Sequence, residues 1–163
     1  MLVIVAPGQG AQSPGFLHPW LEVPGFSERL EALSTVAGLD LADVGTEADA
    51  ETIRQTQVAQ PLLVATGLLV GLDLVPTDAL GAVGALAGHS VGELTVAGLS
   101  GTLSPEDAVR LVRERGEAMA DAAAATPTSM TAVLGGDREE VLAALAAHGL
   151  TPANDNGPGQ IVA

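Results

Sequence analysis

The 163-residue sequence contains no cysteine, which excludes disulfides, thiolate metal sites and a cysteine nucleophile and leaves the redox compartment unconstrained. It contains no lysine either: its 6 cations are all arginines, set against 20 acidic residues for a net charge of −14. A chain of that sign repels a phosphate backbone, so no nucleic-acid partner is expected. Each arginine is then a scarce residue, and three of them, Arg110, Arg113 and Arg115, fall in one short segment; the others are Arg29, Arg54 and Arg138. Aromatics make up only 2% of the chain, so the interior has to be built from Ala, Val and Leu in closely packed elements. Long hydrophobic runs are missing as well. The longest mostly apolar segment, PLLVATGLLVGL (61–72), falls short of the roughly 18 residues that suggest a membrane span. The start, MLVIVAPGQG, has no cationic leader and reads as a first strand rather than a signal peptide. A soluble, cytoplasmic protein with no membrane partner is the expectation.

What is present alternates. LVIVA (2–6) is a short β-branched run that ends at Pro7-Gly8, which predicts a buried strand and a tight loop, PGQGAQSPG. SERLEALSTVAG (27–38) has helical apolar spacing, with Ser27 as the expected N-cap and Gly38 as the stop. An acidic stretch, 40–52, shows little pattern. VAQPLLVATGLLVGL then predicts a buried helix with Pro61 in its first turn. GAVGALA (81–87) reads as the second strand, followed by helices over 91–99 and, after the cap-like Ser104, 105–124. Strand and helix in alternation imply an α/β layer structure with a parallel sheet. From Pro127 the texture changes to a strand within SMTAVLGG, a strongly patterned helix over 137–149 with an acidic first turn, and the start of one more strand in TPANDNGPGQIVA. The expected domains are therefore 1–126 and 127–163.

The chemistry centres on Gly88-His-Ser90-Val-Gly92. A serine that only caps a helix needs no glycine on either side. Between a strand and a helix, the pattern fits a nucleophile elbow, a turn so sharp that side chains two before and two after the serine would collide with neighbouring backbone. The helix that follows aims its N-terminal amides and dipole at developing negative charge. A serine nucleophile needs a base. His89 is adjacent and diverges from Ser90, His18 lies in a proline-flanked loop, and His148 sits at a helix end where it caps carbonyls, so the residues alone name no partner.

Five stretches in order carry a resemblance: Val5-Ala-Pro-Gly-Gln9-Gly-Ala-Gln12, Gln60-Pro61, Gly88-His-Ser-Val-Gly-Glu93, Val112-Arg-Glu-Arg115-Gly116, and Asn154-Asp-Asn-Gly-Pro-Gly-Gln160. Together they resemble the malonyl-CoA:acyl carrier protein transacylases along essentially the whole chain. The resemblance implies an α/β-hydrolase-like large domain with the elbow, and the beginning of an inserted ferredoxin-like small domain. It implies that Ser90 takes a malonyl group from malonyl-CoA and yields it to the phosphopantetheine thiol of acyl carrier protein, for fatty-acid or polyketide synthesis. Gln9 and Val91 are implied as oxyanion-hole amides, Arg115 as the grip on the malonyl carboxylate, and His89 and Gln60 as pocket residues. No bound cofactor and no metal is implied. The family's catalytic histidine lies well beyond the GPGQ stretch, so the base and the rest of both domains are expected from sequence beyond residue 163.

Two rivals stay open at this level. A serine esterase or lipase uses the same elbow but has no need of Arg115 or of PGQGAQ. A truncated, non-catalytic interaction module would keep the elbow for packing alone. Arg110 and Arg113 are i, i+3 neighbours that fit either a solvated helix face or contact with an acidic carrier protein.

Overall fold

The structure is a computed structural model and describes residues 1–75, 81–126, 128–157 and 159–163. Pro127, where the composition changes, and Pro158 of the GPGQ stretch lie outside the described residues. The chain divides into two compact units, Met1–Ala124 and Ala125–Ala163, and its overall character is mixed α/β.

In the first unit, β1 (Leu2–Ala6) pairs in parallel with β2 (Val83–Gly88), with Ala6 opposite Gly88. Between them the chain forms α1 (His18–Leu21), α2 (Phe26–Ala37), α3 (Leu41–Glu47), a 3-10 turn (Thr52–Arg54) and α4 (Thr56–Leu74). After β2 come α5 (Gly92–Leu99) and α6 (Pro105–Ala125). The core joins Phe26, Leu30 and Leu33 of α2 to Leu62 and Leu68 of α4, Leu99 of α5, and Val109 and Val112 of α6.

Several expectations change in detail. α2 starts one residue early: Gly25, at φ 76°, turns the chain in, and Ser27 is not the cap. The Ser27 hydroxyl instead donates to the Leu21 carbonyl at 3.4 Å. Phe26 decides this, because it is fully buried and stacks on Trp20 with centroids 5.8 Å apart. His18 opens the one-turn α1 rather than lying in a loop. The acidic stretch holds α3, whose first turn is capped by the Asp40 carboxylate accepting from the Asp43 N–H at 3.0 Å. It also holds the 3-10 turn, where the Asp49 carboxylate accepts from the N–H groups of Thr52 at 2.8 Å and Glu51 at 3.1 Å. Those bonds, the one to Thr52 foremost, hold the Asp49 carboxyl below its usual range.

α4 begins at Thr56, so Pro61 lies inside the helix and not in its first turn. Its ring removes the bond that would reach back to the carbonyl of Gln57. At 19 residues, α4 is the one helix among the described residues long and apolar enough to cross a membrane; its residues instead fill this core. Gly71 meets Leu99 of α5 so closely, and Gly98 meets Leu68, that a Cβ at either site would overlap the facing leucine. The interhelical approach thus follows from the small residues in the sequence.

β1 departs most from expectation. Leu2, Val3 and Val5 are exposed, Val5 at 73%, where a buried strand was predicted. The physical reason is that, among the described residues, β1 has one strand neighbour, β2, and the covering helix is α5.

The second unit is an antiparallel sheet of order β3 (Ala132–Leu134), β5 (Gln160–Val162), β4 (Asn154–Asp155), with α7 (Arg138–Ala147). The final stretch gives two strands rather than one, because Gly157 and Gly159 take positive φ and reverse the chain. α7 is shorter than expected and is capped by the Asp137 carboxylate, which accepts from Glu139 and Glu140; His148 is its C-cap residue. Leu145 and Ile161 are the buried apolar residues of this unit.

Candidate active site

The turn between β2 and α5 places the serine. Ser90 has φ 52°, the only positive value among described non-glycine residues, a conformation that costs on the order of 1 kcal/mol or more for a residue with a Cβ. The flanking glycines have separate reasons. A Cβ on Gly88 would run into the backbone of Gly92 and Glu93 at the start of α5, and one on Gly92 would run into the carbonyl oxygens of Ala6 and Pro7 at the end of β1. The backbone bonds His89 N–H to Ala6 O at 3.0 Å and Gly92 N–H to His89 O at 2.9 Å close the turn. Ser90 and His89 are consequently exposed, whereas Val91, the N-cap residue of α5, is buried.

From Ser90 a continuous hydrogen-bonded chain crosses three elements. Arg115 of α6 donates from Nη2 to Ser90 Oγ at 3.3 Å and from Nη1 to Gln60 Oε1 of α4 at 2.6 Å. Gln60, 1% exposed, donates from Nε2 to Gln9 Oε1 at 3.3 Å and touches the Met119 sulfur at 3.3 Å. Gln9 donates from its own Nε2 to the Arg54 carbonyl at 3.2 Å and to Thr56 Oγ1 at 3.3 Å. α6 can bring Arg115 this near α4 because the next residue is Gly116, where an added Cβ would lie 3.2 Å from Gln57 Cα.

Four of the residues singled out from sequence, Ser90, Arg115, Gln60 and Gln9, thus form one network. Val91 adjoins Ser90. His89 packs its ring against Gly8, close enough that a Cβ there would lie 2.5 Å from Nδ1. Among the described residues, the backbone N–H groups of Gln9 and Val91 donate to no protein acceptor. His18 lies beside Gly15, and among the described residues no hydrogen bond links it to Ser90. Arg110 pairs with Asp107, and Arg113 with Glu117 at 2.9 Å, both on α6 itself.

Beside this network Gln12 donates from Nε2 to the Ile53 carbonyl at 3.0 Å; sequence reasoning assigned no part here to Gln12, Thr56 or Met119. Gln12 ends the PGQGAQ stretch and Met119 follows Arg115 by four residues, one helical turn along the same face; these are the signals that could have found them. Chemically, the arrangement offers an exposed hydroxyl, two free amide donors in the loop and turn at 9 and 91, and a guanidinium whose other end is already engaged. That guanidinium can hold an anionic group beside whatever Ser90 attacks.

Known proteins are similar to this chain over its full length. The malonyl CoA-acyl carrier protein transacylase of Mycobacterium bovis is 48% identical over 164 aligned residues, spanning 100% of this chain and 54% of that protein. The crystal structure of MCAT from Mycobacterium tuberculosis superposes with a TM-score of 0.92 at 48% identity, covering 99% of this chain and 54% of the other. A malonyl-transacylase in complex with its type II PKS acyl-carrier protein superposes at 0.83 with 30% identity, covering 99% of this chain and 53% of that one. The chain therefore spans about half the length of the curated relatives it matches. The acyl transferase domain model matches residues 3–163, and the chain belongs to that acyl transferase family.

Proposed function

We propose that this chain is the N-terminal part of an enzyme that moves a malonyl group from malonyl-CoA to the phosphopantetheine thiol of acyl carrier protein through a seryl ester. The observation that carries the reading is the Arg115 guanidinium, bonded at once to Ser90 Oγ and Gln60 Oε1. A nucleophile that only cleaves neutral esters has no use for a fixed cation at 3.3 Å. A malonyl thioester has a free carboxylate two bonds beyond its reactive carbonyl, and a planar guanidinium pairs with it through two parallel N–H bonds.

In the first step, Ser90 Oγ attacks the thioester carbonyl and its proton passes to a general base. The oxyanion is met by the Gln9 and Val91 N–H groups and by the N-terminal end of α5. Collapse of the tetrahedral intermediate breaks the C–S bond and releases coenzyme A, which takes the proton. In the second step the carrier-protein thiol attacks the seryl ester and Ser90 recovers its proton. The β2–Ser90–α5 turn is the nucleophile elbow of this scheme. His89 and Gln60 line the pocket, Gln60 by engaging Arg115. The base is assigned to a histidine beyond residue 163, and residues 127–163 to the beginning of a ferredoxin-like small domain inserted in a large domain that includes 1–126. The acyl carrier protein is the partner, as for the related transacylase solved with its carrier protein. Malonyl-CoA acts as a substrate, the route requires no bound cofactor, and the reaction belongs in the cytoplasm with fatty-acid or polyketide synthesis.

The test is covalent. Incubated with malonyl-CoA, the full-length enzyme is expected to gain one malonyl group at Ser90 by intact mass and peptide mapping, and Ser90→Ala is expected to gain none. An adduct that persists in Ser90→Ala removes Ser90 from the mechanism.

A further inference from the structure

The loop that carries the Gln9 N–H does not hold itself in place. Gly10 takes φ 109°, and the tether comes from a side chain. Gln12, 9% exposed, accepts from the Gly10 N–H through Oε1 at 2.9 Å and donates from Nε2 to the Ile53 carbonyl at 3.0 Å. The Gln9 side chain runs alongside, to the next carbonyl, Arg54, and to Thr56 Oγ1. Two glutamines thus fasten one loop to consecutive carbonyls of the 3-10 turn. That turn is a firm anchor, since Ile53 is buried in the core and the Asp49 carboxylate caps its first turn.

We propose that Gln12 is a positioning residue for acyl transfer, fastening the Gln9 loop to the 3-10 turn so that the Gln9 N–H meets the oxyanion formed at Ser90. The proposal rests on the oxyanion role given to Gln9 above. A buried amide costs desolvation unless both its ends are bonded; Gln12 bonds through both, Oε1 to the Gly10 N–H and Nε2 to the Ile53 carbonyl. An oxyanion donor acts only within a narrow range of distance, and a misplacement of about 1 Å is enough to cost roughly a hundredfold in rate. Gln12 itself bonds neither Arg115 nor Gln60, so the loss is expected to fall on the chemical step.

The experiment uses the full-length enzyme, with active sites counted by a serine-directed phosphonate. Gln12→Met removes both bonds at nearly unchanged volume. Per active site, kcat is expected to fall about ten- to a hundredfold while KM for malonyl-CoA stays within about twofold. The loss should be equal for acetyl-CoA and be matched by weaker binding of a boronic acid, which forms a tetrahedral anion on Ser90. An unchanged kcat, or a loss confined to KM or to the malonyl donor, overturns the proposal. If Gln12→Met does not accumulate as folded protein, Gln12→Glu carries the same test, since at the same size it keeps the acceptor for the Gly10 N–H and loses the donor to the Ile53 carbonyl; an unchanged kcat in that variant equally overturns the proposal. The Ser90→Ala adduct separately decides the underlying reading, so failure of one is distinguishable from failure of the other.

Discussion

Gly92 sets two residue-scale effects against each other. In the interior of an exposed helix, Gly→Ala stabilises by about 1 kcal/mol. Here the added methyl would overlap the Ala6 carbonyl, and overpacking of that kind costs about 1–3 kcal/mol. Gly92→Ala is therefore expected to lower the urea midpoint of the full-length enzyme; a raised midpoint would show that the turn has room. Arg115 gives the second expectation. Hydrogen bonds to a charged group contribute about 1.5–3 kcal/mol, so Arg115→Ala should cut malonyl transfer by about ten- to a hundredfold or more and largely spare acetyl transfer. Equal losses for the two donors would remove the carboxylate-reading role. The glycine pair was legible in the sequence because a steric demand leaves a mark at fixed spacing from the serine. The assembly of Arg115, Gln60 and Gln9 was legible only through motif resemblance, since their bonds join residues 51 and 55 positions apart. Gln12 and Thr56 were missed because nothing local to either residue reveals which carbonyl or amide it will meet.

At the scale of elements, caps explain most of what could be read. α7 was foreseen from its apolar pattern and acidic first turn, and the structure puts the Asp137 carboxylate on two helix N–H groups. Asp137→Ala is expected to destabilise this unit by about 1 kcal/mol, measured as faster amide exchange along α7. α3 was overlooked although Asp40 is the same kind of cap, because seven residues show too little periodicity to stand out from an acidic background. The strands of the second unit are only two or three residues long, below the length at which alternation can be recognised. Their sheet is tied to α7 by Arg138 Nε donating to Asp155 Oδ2 at 2.6 Å. That bond holds the Asp155 carboxyl below its ordinary value. A carboxyl lowered on folding stabilises the protein above its unfolded pKa, and the contribution is lost as pH falls through the folded pKa. Because the pair is exposed, the effect is small. Its signature is a gap in urea midpoint between the native enzyme and Asp155→Asn that is present at neutral pH and closes on acidification below the usual carboxylate range. A gap independent of pH would mean that the pair contributes through packing alone.

For the whole molecule, the two-stranded sheet is the informative feature. Among the described residues β1 and β2 pair only with each other, so each leaves one edge unsatisfied there, and Leu2, Val3 and Val5 are exposed along β1. Sheet edges and contiguous apolar surface of this kind favour association. The sequence predicted one buried strand from these β1 residues, and the discrepancy has a physical meaning: their apolar character fits a larger sheet, in keeping with relatives of which this chain spans 54%. Residues 1–163 produced alone are therefore expected to bind a hydrophobic dye, self-associate and melt without a sharp transition. They should also be nearly inactive. A positioned general base contributes typically about 10²–10⁴-fold, and the base is assigned to sequence outside this span, whereas Arg115 and the Gln9 and Val91 amides proposed to meet the oxyanion lie within it. Slow labelling of Ser90 by a reactive phosphonate should survive, since that reaction uses the turn and its amides, while malonyl transfer should return only when the remainder of the enzyme is supplied as a second polypeptide. Cooperative unfolding of the 163-residue chain together with full malonyl transfer would reverse this conclusion and bring His18 and His148 back as candidates for the base.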